Sequence, residues 1–126
     1  MNFNEKILQY FRDSSHVGEF PNDEKDILKG EAGTVASGEK MQLQLKINNN
    51  KIIKAKFKAY GSVVTIAAMA YLAEWLENKK MSEVKLLTIE EIMRMLPVPE
   101  TKRHCILLAY DALQSILIYN SRSFLL

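Results

Sequence analysis

The most regular part of the sequence is Met41-Gln42-Leu43-Gln44-Leu45-Lys46-Ile47-Asn48-Asn49-Asn50-Lys51-Ile52-Ile53-Lys54-Ala55-Lys56-Phe57-Lys58-Ala59. Apolar and polar side chains alternate on both sides of three asparagines, the pattern of two β-strands joined by a turn. Because side chains alternate between the faces of a strand, one face of this β-hairpin is predicted to be apolar and the other to be a solvated row of lysines. The apolar face holds Met41, Leu43, Leu45, Ile47, Ile53, Ala55, Phe57 and Ala59, and the lysines are Lys46, Lys54, Lys56 and Lys58.

Helical patterns precede and follow the hairpin, whereas residues 18–38 indicate a long loop with at most a partial strand. A hairpin followed by helices predicts an α+β fold, a small antiparallel sheet with helices packed on one face. The 126 residues, 48% of them hydrophobic, suffice for a single domain, 1–126. The predicted helices run from Asn4 to Arg12, from Ser62 to Asn78, from Ser82, from Thr88, and from Thr101 to Tyr119, the last with Leu107, Leu108, Ala112, Leu113, Ile116 and Leu117 on its apolar side.

Charge and cysteine content exclude several classes of protein. Lys and Arg number 17 against 15 Asp and Glu, and the resulting charge of +2 is too small to predict a nucleic-acid partner. The apolar run of residues 106–110 ends at Asp111, far short of a membrane span. With one cysteine, Cys105, and no visible export signal, we expect a soluble cytoplasmic protein without a membrane partner.

Three short motifs lie at the ends of predicted elements: Ala36-Ser37-Gly38-Glu39, Tyr60-Gly61-Ser62 and Lys102-Arg103-His104-Cys105. Element ends are places where side chains from distant parts of a sequence can meet. A carboxylate, an imidazole and a thiol are all known metal ligands. Taken alone, His104 is better explained as a helix-end imidazole bonded to backbone, and Cys105 as a small half-buried side chain.

With these motifs, nearly the whole chain resembles the U-type iron–sulfur cluster assembly scaffolds, the family of IscU and the N-terminal domain of NifU. In that family, three cysteines, an aspartate and a histidine hold a transient cluster or a zinc ion. The resemblance is carried by Val17-Gly18, Gly33 with Ala36-x-Gly38, Met41-x-Leu43-x-Leu45-Lys46-Ile47, Ala55-Lys56-Phe57-Lys58-x-Tyr60-Gly61, Glu74-Trp75, Lys102-x-His104-Cys105 and Leu108-Ala109-x-Asp111-Ala112.

The resemblance implies that the family's first and second cysteines fall on Ser37 and Ser62, its aspartate on Glu39, and its histidine and third cysteine on His104 and Cys105. Clusters are held by thiolates, and a serine hydroxyl ionises far less readily than a thiol. The resemblance therefore predicts a vestigial site in a scaffold-like protein that is not an enzyme and that binds assembly partners such as a cysteine desulfurase.

Three alternatives stay open at this point. Glu39, His104 and Cys105 with a water molecule match an open zinc site. A working scaffold with reduced ligation would hold a labile iron–sulfur cluster, for example between the Cys105 residues of a homodimer. The fold can also serve an unrelated purpose, since fold alone does not fix function.

Cys105 is in addition the candidate sulfur acceptor, because the resemblance aligns it with the cysteine that receives persulfide. Its place in the first turn of a helix beside a histidine predicts a lowered pKa for its thiol. Scaffolds of the family carry a Leu-Pro-Pro-Val-Lys segment that a dedicated chaperone recognises. In Leu96-Pro97-Val98-Pro99-Glu100-Thr101-Lys102 only Pro99 and Lys102 agree with it, which weakens the case for chaperone recognition.

Overall fold

A computed structural model describes the backbone of residues 4–125 and the side chains of residues 4–119. Three antiparallel strands form one sheet in the order β1-β2-β3, and the described residues also form five α-helices. The α+β fold predicted from the sequence is confirmed. The elements are α1 Glu5–Arg12, β1 Ile27–Thr34, β2 Glu39–Asn48, β3 Lys51–Tyr60, α2 Val63–Leu76, α3 Met81–Val84, α4 Ile89–Met95, a 3₁₀ turn Glu100–Lys102 and α5 Arg103–Leu125.

The predicted hairpin is present and forms the two strands β2 and β3. Its turn places Asn49 and Asn50 at φ of 53° and 61°, the left-handed region that asparagine tolerates better than most residues. The register shifts between Lys46 and Ile47, so that Ile47 pairs with Ile52. Consequently Ile52 is fully buried and Ile53 is 41% exposed, and the prediction that Ile53 lies on the apolar face was wrong.

The segment before the hairpin contains a full strand, so the expectation of a long loop over residues 18–38 was wrong. Strand β1 pairs with β2 along its whole length. The sequence of β1 is Ile27-Leu28-Lys29-Gly30-Glu31-Ala32-Gly33-Thr34. Because small residues of β1 pair with large apolar residues of β2, the alternation of apolar and polar side chains is hard to see in β1. Gly30 is required by packing: a Cβ there would lie 2.4 Å from the Ala112 carbonyl oxygen and 2.6 Å from Ile116 Cγ1.

The helices pack on one face of the sheet and enclose one continuous apolar core, as predicted. Helix α2 contributes most of its residues to that core and contacts β3, α1 and α5, while α5 lies against β1. In α5, Ala112, Leu113, Ile116 and Leu117 are buried as predicted, and Cys105, Ile106 and Ala109 are buried as well, whereas Leu107 is 41% exposed. The placement of Leu107 on the apolar side was wrong.

The outer face of the sheet carries the lysine row and is partly covered by the segment before β1. Phe20, which is 6% exposed, donates its N–H to Gln44 Oε1 at 2.9 Å. Glu24 and Glu19 pair with Lys46 and Lys58 at 3.1 and 3.0 Å. The row is therefore only partly solvated.

No helix in the described part of the chain is long and apolar enough to cross a membrane. The suggestion that the apolar ending of residues 123–126 docks on the body falls outside the residues whose side chains are described.

Replacing Gly30 with Ala tests the contact between β1 and α5. Because the new methyl group would overlap the α5 backbone, the free energy of unfolding should fall by about 1–3 kcal/mol, as measured by urea denaturation. Lys29→Ala, at the exposed neighbouring position, is the matched control and should change stability by no more than about 0.5 kcal/mol. Equal stability of the two variants would contradict the described packing.

Candidate functional site

Three chain segments meet at one end of the sheet. Glu39 is the first residue of β2, Ser62 directly precedes α2, and His104 and Cys105 lie in the first turn of α5. Gly61 lets these segments approach one another, since a Cβ there would lie 3.2 Å from Glu39 Cγ and 3.1 Å from a Thr65 methyl carbon. The convergence expected for the ends of these elements is thus observed.

Glu39 lies at the centre of the site. One carboxylate oxygen, Oε2, is 3.0 Å from His104 Nε2, and the other, Oε1, accepts a bond from the Cys105 thiol at 3.4 Å. Oε1 also accepts a short hydrogen bond from the Thr65 hydroxyl. The Glu39 side chain is 14% exposed and that of His104 is 54% exposed, so the imidazole closes the site on its solvent side.

The electrostatics of the site favour a charged Glu39 and a protonated Cys105. Burial opposes ionisation of Glu39, but hydrogen bonds from Thr65 and Cys105 and the charges of His104 and Lys102 hold its pKa below its ordinary value. Burial raises the pKa of the Cys105 thiol, and the adjacent Glu39 carboxylate raises it further, although the hydroxyls of Thr65 and Ser62 stabilise the thiolate.

Two expectations about Cys105 were therefore wrong. Its thiol pKa is raised where a lowered pKa was expected, because the side chain is buried against a carboxylate, and this outweighs its place in the first turn of α5. The side chain is also fully buried, where partial burial was expected.

Ser62 has a structural use for its hydroxyl. It is the N-cap residue of α2, and its Oγ accepts a hydrogen bond from the Thr65 N–H at 3.4 Å, the arrangement by which serine satisfies a free donor at a helix start. The same oxygen lies 3.5 Å from Glu39 Oε1 and 3.7 Å from Cys105 Sγ. Ser62 is thus part of the site.

Ser37 is employed differently. It is exposed in the β1–β2 turn, where its Oγ lies 2.8 Å from the Thr34 carbonyl oxygen and 3.3 Å from that of Glu39. Within the described residues, the hydrogen bonds of this hydroxyl all stay inside that turn. The structure therefore brings together four of the five predicted site residues. The fifth, Ser37, is hydrogen-bonded to the backbone of its own turn.

Thr65 belongs to the site but was missed in the sequence. It is fully buried, and its hydroxyl bonds Glu39 Oε1 and lies 3.2 Å from Ser62 Oγ. Its signal was the spacing Ser-x-x-Thr at the start of an otherwise apolar helix, where residues three apart share a face. A buried hydroxyl in such a position needs a partner, and here that partner is a carboxylate.

The donors suit one zinc ion better than a cluster. One ligand atom from each of Glu39, His104 and Cys105 can be chosen so that all lie within 4.8 Å of one another. His104 Nε2 is 3.0 Å from Glu39 Oε2 and 3.6 Å from Cys105 Sγ, and tetrahedral zinc holds its ligand atoms roughly 3.3–3.8 Å apart. Iron–sulfur clusters are ordinarily held by four cysteine thiolates, and this site offers one thiol.

Comparison with known proteins identifies the class. Residues 2–124 match the family model of the NifU-like N-terminal domain, and the chain belongs to that family of iron–sulfur cluster assembly scaffolds. It is 34% identical over 116 residues to the iron–sulfur cluster assembly scaffold protein IscU of Escherichia coli K12, covering 91% of each chain. It is 33% identical over 115 residues to iron–sulfur cluster assembly protein 1 of rice, covering 90% of this chain and 67% of that protein.

Solved structures share the fold. A putative scaffold protein for the SUF system of Fervidobacterium islandicum superposes with a TM-score of 0.74 at 18% identity, covering 91% of this chain and 96% of its own. The N-terminal part of a NifU-like protein of Brucella abortus gives 0.69 at 16% identity, covering 90% of both chains. The resemblance seen in the sequence is confirmed.

A double-mutant cycle between Thr65→Val and Glu39→Gln tests the hydrogen-bonded centre of the site. Thr65→Val removes the hydroxyl while nearly preserving shape, so it should cost about 1–3 kcal/mol of unfolding free energy. The two substitutions should be coupled by about 0.5–3 kcal/mol because the side chains are in direct contact. Urea denaturation measures both quantities. The control is Ser14→Ala, in the exposed loop after α1, whose change in unfolding free energy should simply add to that of Glu39→Gln. If the changes for Thr65→Val and Glu39→Gln also simply add, the described contact is contradicted.

Proposed function

We propose that this family member acts by binding iron–sulfur assembly partners, a cysteine desulfurase among them, and that it neither holds a stable cluster nor catalyses a reaction. The place of action we propose is the cytoplasm, which suits a lone unoxidised thiol. This proposal is supported by a preserved scaffold fold combined with a depleted donor set.

One observation carries the proposal. At two of the three positions where the resemblance places the family's thiols, Ser37 and Ser62 present hydroxyls that are already bonded to the backbone of a turn and of a helix start. Serine hydroxyls serve as caps and turn formers, whereas a cluster needs thiolates. The remaining thiol, Cys105, is fully buried.

The surface around the site supports a role in binding. Each of the three converging segments exposes a large apolar side chain: Val35 at 64%, Tyr60 at 60% and Leu107 at 41%. Leu107 is three residues after His104 and so lies on the same side of α5. Large apolar side chains exposed together on a surface are typical of protein contact sites. We call Val35, Tyr60 and Leu107 the apolar rim.

The proximity of Glu39, His104 and Cys105 favours a second candidate function, binding of a single zinc or iron ion. In this alternative the protein carries or stores one metal ion. Native mass spectrometry after expression in zinc-containing medium tests the metal-binding function. Zinc binding should add the mass of one ion per chain, and Glu39→Gln or Cys105→Ala should abolish that added mass.

Sulfur transfer to Cys105 is compatible with either function but needs the site to open, since the thiol is buried. The Cys105 thiolate would attack the terminal sulfur of a desulfurase persulfide, forming an S–S bond on Cys105 and releasing the desulfurase thiolate. When sulfur-labelled cysteine is added with the desulfurase, transfer should increase the mass of the protein by one labelled sulfur atom. The Cys105→Ala variant is the control and should show no such increase.

Substitution of the apolar rim tests partner binding. Tyr60→Ser with Leu107→Ser should weaken binding to a purified cysteine desulfurase at least tenfold, as measured by isothermal titration calorimetry, because both side chains would be desolvated in the complex. Ile118→Ser is the matched control: Ile118 is 53% exposed but lies about 16 Å beyond Leu107 along α5. Unchanged affinity of the rim variant, or no binding by the unaltered protein, would contradict the proposal.

Anaerobic reconstitution with iron and sulfide tests the depletion of the donor set. The unaltered protein should develop no stable visible absorbance, whereas Ser37→Cys with Ser62→Cys should gain a chromophore that Cys105→Ala abolishes. Ser14→Cys with Ser82→Cys, which adds two thiols at exposed positions elsewhere, should gain none. A stable chromophore in the unaltered protein that depends on Cys105 would instead establish a working scaffold.

A further inference from the structure

A second feature of the surface lies at the opposite end of the sheet from the site. The β2–β3 turn, the connection between α2 and α3, and α5 enclose a groove of about 760 Å³. Its apolar surface includes Ile53, Met81 and Leu86, and its polar rim includes Lys51, Lys80 and Lys85. We call this the basic groove.

The basic groove is held in shape by backbone hydrogen bonds. The N–H of Met81 donates to the Asn50 carbonyl at 2.8 Å and that of Ile52 to the Lys79 carbonyl at 2.9 Å, while Asn78 donates to Ile52 at 2.7 Å. The hairpin turn is therefore bonded to the chain that begins α3. A groove formed in advance loses less entropy when it binds a ligand.

The apolar surface of the groove is accessible to a partner. Leu86 is 76% exposed and Ile53 is 41% exposed. Both residues lie in the described region and are large aliphatic side chains, which soluble proteins expose together mainly at interaction sites.

The charges around the groove are of one sign. Among the described residues, Lys51, Lys80 and Lys85 form no ion pair. Glu83 in the same short helix already accepts the Lys80 N–H through Oε1 at 3.1 Å, and Asp26 lines a neighbouring depression. No carboxylate lines the basic groove itself, so its rim complements a negatively charged ligand.

We propose that the basic groove binds an acidic segment of a partner protein, with an apolar side chain between Ile53, Met81 and Leu86 and flanking carboxylates at the lysines. The apolar floor favours a peptide over nucleic acid, whose phosphate backbone would leave that floor uncovered. The groove's concave shape favours a peptide over an anionic membrane surface.

This binding site is independent of the proposed function at the other end of the molecule. Strand β3 has ten residues, with the groove at its beginning and Ser62 just past its end, a separation of roughly 30 Å. A partner in the groove would leave Glu39, His104 and Cys105 accessible, so the protein can bind two partners at once. If the protein does not bind a desulfurase, peptide binding in the groove is unaffected. If the groove does not bind a peptide, the proposed desulfurase binding is likewise unaffected.

Selection from a displayed library of random twelve-residue peptides tests the inference directly. Peptides enriched on the full-length protein should combine Asp or Glu with Leu, Ile or Phe, and one such synthetic peptide should shift the amide resonances of residues 48–53 and 80–86 while leaving those of residues 37–39 and 104–105 unchanged. Its affinity should fall as salt is raised.

Two variants and a control separate the contributions. Lys80→Glu with Lys85→Glu should lower the affinity for the peptide at least tenfold. Leu86→Ser should lower that affinity at least fivefold without changing the charge of the groove. Lys29→Glu, which reverses an exposed lysine on β1, should stay within twofold. Enrichment of peptides without acidic residues, equal binding by Lys80→Glu with Lys85→Glu, or tighter binding of a single-stranded oligonucleotide or of phosphatidylserine vesicles than of the peptide would overturn the proposal.

Discussion

The carboxylate of Glu39 is the contact on which the site depends, because it joins the ends of three elements. Glu39 starts β2, its Oε1 accepts bonds from Thr65 in α2 and Cys105 in α5, and its Oε2 pairs with His104. A charge that is mostly removed from solvent is stable only when it is bonded in this way. Thr65, Cys105 and His104 supply those bonds, and the carboxylate in turn holds the three segments together.

This arrangement shows how the three segments can be held together with serines at positions 37 and 62, where the family resemblance implies thiols. In a metal site, the ion would link the converging segments; here a carboxylate, two hydroxyls, a thiol and an imidazole link them by hydrogen bonds. Ser62 adds the N-cap of α2, a contribution of about 1 kcal/mol. The segments thus meet through side-chain hydrogen bonds, and the proposed partner surface, the apolar rim, lies on the same converging segments.

The sequence predicted the parts of the fold whose side-chain pattern has a clear period. The β2–β3 hairpin alternates along most of both strands, and only the register shift next to Ile47 displaced the prediction for Ile53. Glu39, Ser62, His104 and Cys105 were located through the family resemblance, which places them at element ends. Strand β1 was missed because Gly30 and Ala32 replace large apolar residues, and only the packing of α5 against Gly30 explains why they must be small. Thr65 and the raised pKa of Cys105 were missed because both depend on the position of Glu39, which is set by strand pairing far along the chain.

The site and the basic groove lie at opposite ends of β3, and they differ in chemistry. The site has a mostly buried, hydrogen-bonded carboxylate, whereas the groove has an apolar floor and lysines that form no ion pair with the described residues. This separation suits a protein that brings partners together. Both surfaces depend on the same hairpin, which carries the turn of the groove at one end and Glu39 at the other.

We expect the hydrogen bonds centred on Glu39 to hold the three segments together without a metal ion. The free energy of unfolding of the purified protein tests this, measured in excess chelator and again with zinc at a few times the protein concentration. The two values should agree within about 0.5 kcal/mol. Stabilisation of about 3 kcal/mol or more by zinc, lost in Glu39→Gln and Cys105→Ala, would contradict it, because a tightly bound ion stabilises the folded chain by mass action.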